Sequence, residues 1–238
     1  MIPYVVINGV CSKNINGLLI QSLPPIRKPE MRREVEEIDG RDGDIITNLG
    51  FAAYDKNITI GLKGDYDVDD VISYFNQAGE ITFSNEIDKY YKFSQYAAID
   101  FNKLIRFKTA TVSFHVQPFK YLVGEKEIDF INENNLRVIS IPIRNQGNIY
   151  SKPTITITGR DKVNVFINDK AVLTLSLAAA AETIIIDVAN LNAYGESGYM
   201  NRQVVGDYND LILKPGTNDL VISGHVSEVK VKHVSRWI

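Results

Sequence analysis

Three histidines, a single cysteine and several carboxylate pairs are the residues whose types suit chemistry, and their spacing decides which chemistry is open to them. His115, His225 and His233 sit in separate strand-like segments, and the chain has no His-Glu-x-x-His pair, no Gly-x-Ser-x-Gly elbow and no phosphate-cradling glycine loop. His225 and Ser227, on one strand face, come nearest to a base and nucleophile, but such a dyad needs a third group to orient it. Glu36 with Glu37, and Asp69 with Asp70, are adjacent in sequence. On a strand, adjacent side chains point to opposite faces, so these are solvated charges and not an acid–base pair. Four aspartates in residues 65–70 suggest a calcium loop. Counted from Asp65, however, an EF-hand would need Gly and Glu where the chain has Asp70 and Asn76. The expectation is a protein that is not an enzyme and uses no metal or cofactor.

One segment has the residue types of a sugar site. Residues 189–209 gather Tyr194, Tyr199 and Tyr208 with Asn201 among glycines, and aromatic faces beside amides suit carbohydrate. A long connection whose tyrosines simply pack on the domain explains the same composition.

The elements that would position these residues are mostly strands. In residues 109–121, Val112, Phe114 and Val116 alternate with Ser113, His115 and Gln117, the pattern of a half-buried strand. Pro118 lacks a backbone N–H, so the strand is expected to stop there and the chain to leave the sheet at Phe119. Short strands are expected over residues 4–6, 18–20, 57–62, 81–83, 90–93, 97–99 and 105–107. One helix is predicted over residues 68–75, where Val68, Val71, Ile72 and Phe75 form a stripe, Asp67 serves as N-cap and Gly79 as a left-handed stop. Residues 24–37 hold three prolines and dense charge of both signs, an extended arm or edge strand. Asp39-Gly40 and Asp42-Gly43 then place a hairpin tip, or equally a mobile loop, before Ile45 and Ile46.

Beyond residue 121 short strands with regular turn signals argue for a β-sandwich: residues 136–143, 154–158, 163–167, 172–177, 183–188 and 220–223. Ala178 to Ala181 form either one helical turn or a small-residue loop. Residues 214–218 read as a type II turn. Trp237, near the end of a strand-like tail, is expected to dock.

At 238 residues the chain suits two domains, each able to bury a core. No apolar run is long enough to span a membrane, and the start carries no secretory signal, so no membrane insertion is expected. One cysteine, Cys11, excludes an internal disulfide. A net charge of −3 and a pI near 5.7 remove the basic footprint of tight nucleic-acid binding.

Several separated segments resemble the distal tail proteins of long-tailed phages. They are the arm followed by Gly40-Arg41-Asp42-Gly43, the run Val116-Gln117-Pro118-Phe119-Lys120-Tyr121, Val205-Gly206-Asp207-Tyr208 followed by Leu213-Lys214-Pro215-Gly216-Thr217-Asn218, and the Arg236-Trp237 ending. Their order covers almost the full chain. The resemblance implies a mainly β fold: a β-rich first domain with one helix and an extended arm (residues 1–128 with 228–238), then a galectin-like sandwich (residues 129–227), the last strand returning to the first domain. It further implies a hexameric ring at the distal tip of the virion tail, made from protein synthesised in the host cytoplasm. Its partners would be the major tail-tube protein, tail-associated lysin, baseplate or receptor-binding proteins, and the tape-measure protein, with DNA passing through without specific binding. On this basis the candidate ring contacts are Arg32, Arg33, Glu34, Glu36, Glu37 and Asp42. Pro118, Phe119 and Trp237 are candidates for domain docking, and Tyr194, Tyr199, Asn201 and Tyr208 for sugar or partner contact. The competing expectation is a carbohydrate-binding adhesin acting through the sandwich.

Overall fold

Apolar residues at every second position build both halves of the chain into sheets. The computed structural model describes residues 2–96 and 99–238, so the strand expected over residues 97–99 falls largely outside the described residues. The chain divides into two compact units, residues 1–123 with Ile238, and residues 124–237. Residues 228–237, expected with the first unit, therefore lie in the second.

The first unit contains β1 (Val5–Ile7), β2 (Val10–Cys11), β3 (Leu18–Ser22), β4 (Met31–Glu36), β5 (Ile45–Phe51), β6 (Tyr54–Leu62), α1 (Val68–Phe75), β7 (Gly79–Phe83), β8 (Lys89–Tyr96), α2 (Phe101–Phe107) and β9 (Thr109–Leu122). Its sheet has the strand order β2-β1-β7-β8-β9-β6-β3, while β4 and β5 pair only with each other. Val112, Phe114 and Val116 are fully buried on the inner face of β9. Rings of Phe75, Phe83 and Phe93 meet Phe114 at 5.4–6.3 Å between centroids. Burying side chains of this size supplies roughly 1.5–3 kcal/mol each.

Helix α1 starts as expected, with the Asp67 carboxylate accepting the Asp69 N–H at 2.8 Å. Three expectations for this unit are corrected. A second helix, α2, replaces the strand expected over residues 105–107: Asp100 caps it by accepting the Lys103 N–H at 2.9 Å, and Leu104 fills the core. Gly79 opens β7 and does not terminate α1, whose C-cap is Asn76. Strand β9 continues through Pro118 to Leu122. It can do so because β6 stops pairing at Val116 and the register with β8 jumps from Phe93↔Val116 to Tyr91↔Lys120, so neither β6 nor β8 needs the missing N–H.

The second unit contains β10 (Ile128–Ile131), β11 (Val138–Asn145), β12 (Thr154–Ile167), β13 (Lys170–Ser176), β14 (Glu182–Asp187), β15 (Asn192–Gly195), β16 (Gly198–Tyr199), β17 (Val204–Gly206) and β18 (Gly216–Lys232). The strands expected over 154–158 and 163–167 are one strand, and residues 220–223 belong to a strand that runs unbroken through 228–232. Strands β12 and β18 pair along their lengths but slip register between Arg160 and Asn164, where three residues of β12 oppose Gly224 alone. Such a bulge bends both strands and curls the sheet around its own core. On one side of it β14 and β10 continue the sheet, on the other β13 and β11. Ile155, Ile157, Val163, Val165, Leu220, Ile222, Val229 and Val231 point into the shared core and are almost or wholly inaccessible. Ala178 to Ala181 form a loop, resolving the alternative left by their composition.

Candidate functional site

The arm is where sequence and geometry point first. Strands β4 and β5 run antiparallel with Val35 opposite Ile46, Glu34 opposite Thr47 and Arg33 opposite Asn48. Period two then places Val35 and Ile46 with Arg33 on one face, and Glu34 and Glu36 with Arg32 on the other. Every residue of β4 is exposed; Val35 and Ile46 are each 55 % accessible and Leu49 is 51 % accessible. The tip turns through Ile38 and Arg41, joined by a backbone hydrogen bond of 3.1 Å. Gly40 and Gly43 take positive φ there, and Glu37 and Asp42 are exposed. The arm is thus a two-stranded ribbon with apolar side chains in water, an arrangement only marginally stable by itself.

Its root, by contrast, is fastened. Lys56 is 2 % exposed, and its Nζ donates to the carbonyl of Pro25 at 3.3 Å. Asn85 Nδ2 donates to the carbonyl of Pro24 at 3.1 Å. The ammonium of Lys56 lies over the Tyr91 ring, 4.5 Å from its centroid, and over the Phe83 ring. Burial pushes the Lys56 ammonium down to about 8, against the pull of nearby Glu86. Glu86 itself pairs with Lys120 at 2.7 Å and accepts the Tyr91 hydroxyl at 2.6 Å, which with burial drives the Tyr91 phenol strongly upward. On the returning strand, Phe51 packs edge-on against Phe119, 5.6 Å between centroids. Pro118, Phe119 and Trp237 are each half-buried.

The other candidates scatter. Each histidine faces a carboxylate: His115 Nδ1 and Asp55 at 2.8 Å, His225 Nδ1 and Asp161 at 3.1 Å, His233 Nε2 and Glu125 at 3.6 Å. Ser227 turns away from the base role of His225, donating its hydroxyl to the Thr158 carbonyl at 3.1 Å. Among the described residues no group of three or more His, Cys, Asp or Glu side chains stands close enough to hold a metal. Of the four sugar candidates, Asn201 is spent internally: its Oδ1 accepts from Ala193 N and the Tyr208 hydroxyl, and its Nδ2 donates to Asn192. Tyr208 packs on the core and Tyr194 is half-buried. Only Tyr199 stands free, 83 % exposed, at a cavity of ≈ 310 Å³ lined also by Glu182, Glu196 and Gln203. Among the described residues the buried Oε1 of Gln203 has no hydrogen-bond partner. Sequence reading missed Lys56 and Glu86, since a lone lysine in a strand gives no sign that rings will cover it.

With this geometry in hand, comparison places the protein. Residues 12–116, most of the first unit, match the family described as phage tail protein RIFT-related domain. Over its full length the chain has the fold of a distal tail protein: it is similar to the crystal structure of the Dit protein of phage SPP1, with 17% identity, 100% of both chains covered and a TM-score of 0.66. That protein is described as a paradigm of the hub adsorption apparatus in phages infecting Gram-positive bacteria. The resemblance expected from the sequence is borne out, as is the mainly β fold with its arm. Weaker likenesses join the chain to structures of the phage p2 baseplate in its activated conformation, with Ca (9% identity, 98% of both chains, TM-score 0.42) and with Sr (11% identity, 98% and 97%, TM-score 0.43). These lie below the level at which a shared fold follows. No curated protein sequence matches the chain. Among the described residues no helix is long and apolar enough to cross a membrane.

Proposed function

We propose that the protein is a structural hub of a phage tail tip. Copies join through their first units into a ring, expected to be hexameric, at the distal end of the virion tail. The ring connects the tail tube to baseplate, tail-associated or receptor-binding proteins, admits the tape-measure protein at its upper face, and leaves a channel through which DNA passes. The likeness to a protein described as a hub supports this reading.

The observation that carries it is the arm. A ribbon fastened at Pro24 and Pro25 but exposed along β4 and β5 holds Val35, Ile46 and Leu49 in water until another surface covers them. A second copy of the chain is that surface: its own arm sheet and acidic and basic side chains supply both shape and complementary charge, with Arg32 and Arg33 beside Glu34, Glu36 and Glu37 to set register. Negative-stain electron microscopy tests the proposal. Closed rings from the unaltered protein and none from a Glu34→Lys/Glu36→Lys/Glu37→Lys variant are expected; unchanged rings would remove the arm from the interface.

A second reading has one observation in its favour. Tyr199 beside a cavity with two carboxylates and an unpaired amide oxygen suits stacking on a sugar and accepting its hydroxyls. Glycan-array binding that is lost on Tyr199→Ala would establish it, and an array without signal would dismiss it.

A further inference from the structure

The bulge that bends β12 and β18 also builds a cavity, and its wall has the opposite character from the one beside Tyr199. The cavity measures ≈ 480 Å³. Arg137, Arg160 and His225 line it, and no acidic side chain does. In a chain of net charge −3 such a wall departs from the average surface.

Pairing with β18 brings these residues to the one wall. The Gly224 N–H donates to the Arg137 carbonyl at 2.9 Å, and the next residue, His225, sits opposite Arg160 in the ladder. With strands ~4.8 Å apart, the backbones of Arg137 and Arg160 are separated by roughly 10 Å, and both residues line the one cavity. Gly224 permits the crossing: its φ is +143°, and a Cβ there would stand 2.7 Å from the Lys162 carbonyl oxygen. Asn132 holds the turn that delivers Arg137, donating to the carbonyls of Leu136 and Val226 and accepting the Leu136 N–H.

What is left unspent is the pair of arginines. Among the described residues neither guanidinium has an ion pair or a hydrogen bond, and the side-chain amide of Asn135, also on the wall, has none. Two carboxylates beside the wall are engaged elsewhere, Asp161 by His225 Nδ1 at 3.1 Å and Glu182 by the Ala178 N–H at 2.9 Å. The remaining wall is Ala179 to Ala181, small enough to leave room beyond the anion for a ring. We infer that this cavity binds an acidic saccharide, its carboxylate or phosphate held by Arg137 and Arg160 and its hydroxyls by Asn135. Guanidinium forks match both anions in two-point geometry, and an unpaired pair of them beside a concave wall is a receptor for one. The site belongs to the second unit and shares Ala181 with the cavity beside Tyr199, and none of its residues is on the arm, so it stands whether or not a ring forms.

Titration of the isotope-labelled full chain by NMR tests it, with methyl glucuronide, glucose 6-phosphate and neutral methyl glucoside as probes. At least one acidic probe is expected to shift the amides of Gly159, Ala180 and Gly224 saturably, and the stronger of the two identifies the anion. Arg137→Gln/Arg160→Gln weakens that binding at least tenfold, the corresponding double Lys variant by less, and Arg144→Gln on the outer surface not at all. Thermal midpoints recorded for every variant show that each is folded. Absent shifts with both acidic probes, equal binding of the neutral glucoside, or full affinity in the folded double Gln variant would overturn the proposal.

Discussion

The Nζ of Lys56 reaches 3.3 Å to the carbonyl oxygen of Pro25, so a buried cation on a core strand holds the first residues of an otherwise exposed arm. Asn85 does the same for Pro24, and together they fix where the arm leaves the sheet while its length stays free to meet a neighbour.

This link makes stability depend on pH in a defined window. Folding lowers the Lys56 ammonium from 10.5 to about 8 because burial disfavours the charge. Below about 8 both states carry the proton and the cost is fully present; between about 8 and 10.5 the unfolded chain binds more protons, so stability rises with pH. Chemical denaturation of the first unit at pH 7.5 and 9.5 is expected to show a gain of about 1–2 kcal/mol that Lys56→Met abolishes. Measurements stop short of pH 10, since the raised phenols of Tyr74 and Tyr91 act in the opposite direction above it.

Asn85→Ala removes the second fastening without touching the core. Global stability is expected to fall by only about 1 kcal/mol. Tryptic cleavage at Arg27 and Arg32 should nonetheless accelerate several-fold, read by mass spectrometry of the nicked chain.

In the second unit the tail is tied by Ser235, which is fully buried. Its hydroxyl donates to Glu125 Oε1 at 2.7 Å and accepts the Gln146 N–H at 2.9 Å, and its N–H donates to Glu125 Oε2. Ser235→Ala leaves two partly buried groups short of a partner and is expected to cost about 1 kcal/mol, measured by urea denaturation.

Gly224→Ala tests the bulge. A side chain at φ +143° is strained whatever the space, and here the Lys162 carbonyl also blocks it. A loss of about 2–3 kcal/mol is expected in the same assay.

How far the sequence reveals this protein differs from element to element. Helix α1 was readable because Asp67 and the Val68, Val71, Ile72, Phe75 stripe agree. Helix α2 was not, because Ile105 and Phe107 alternate like a strand and only the spacing of Asp100 to Lys103 marks the cap. Pro118 misled because its cost depends on whether a partner strand needs its N–H, a property of register. Thr158-Gly159-Arg160 reads as a turn between two strands, although the chain runs through it as one strand with shifts of register. The arm was legible from its prolines and mixed charge. Arg137, Arg160 and His225 share no sequence pattern, since strand pairing alone brings them to one wall. Asn201 looked available for a ligand, and nothing in its neighbourhood announces that Ala193, Asn192 and Tyr208 consume it.

The central claim is that the arm joins copies of this chain, and light scattering across a concentration series tests it most directly. The unaltered protein is expected to approach six times 26.7 kDa with increasing concentration, and Val35→Lys/Ile46→Lys to remain at 26.7 kDa with an unchanged thermal midpoint. A monomer at every concentration, or an assembly of equal mass in the folded double variant, would contradict the account.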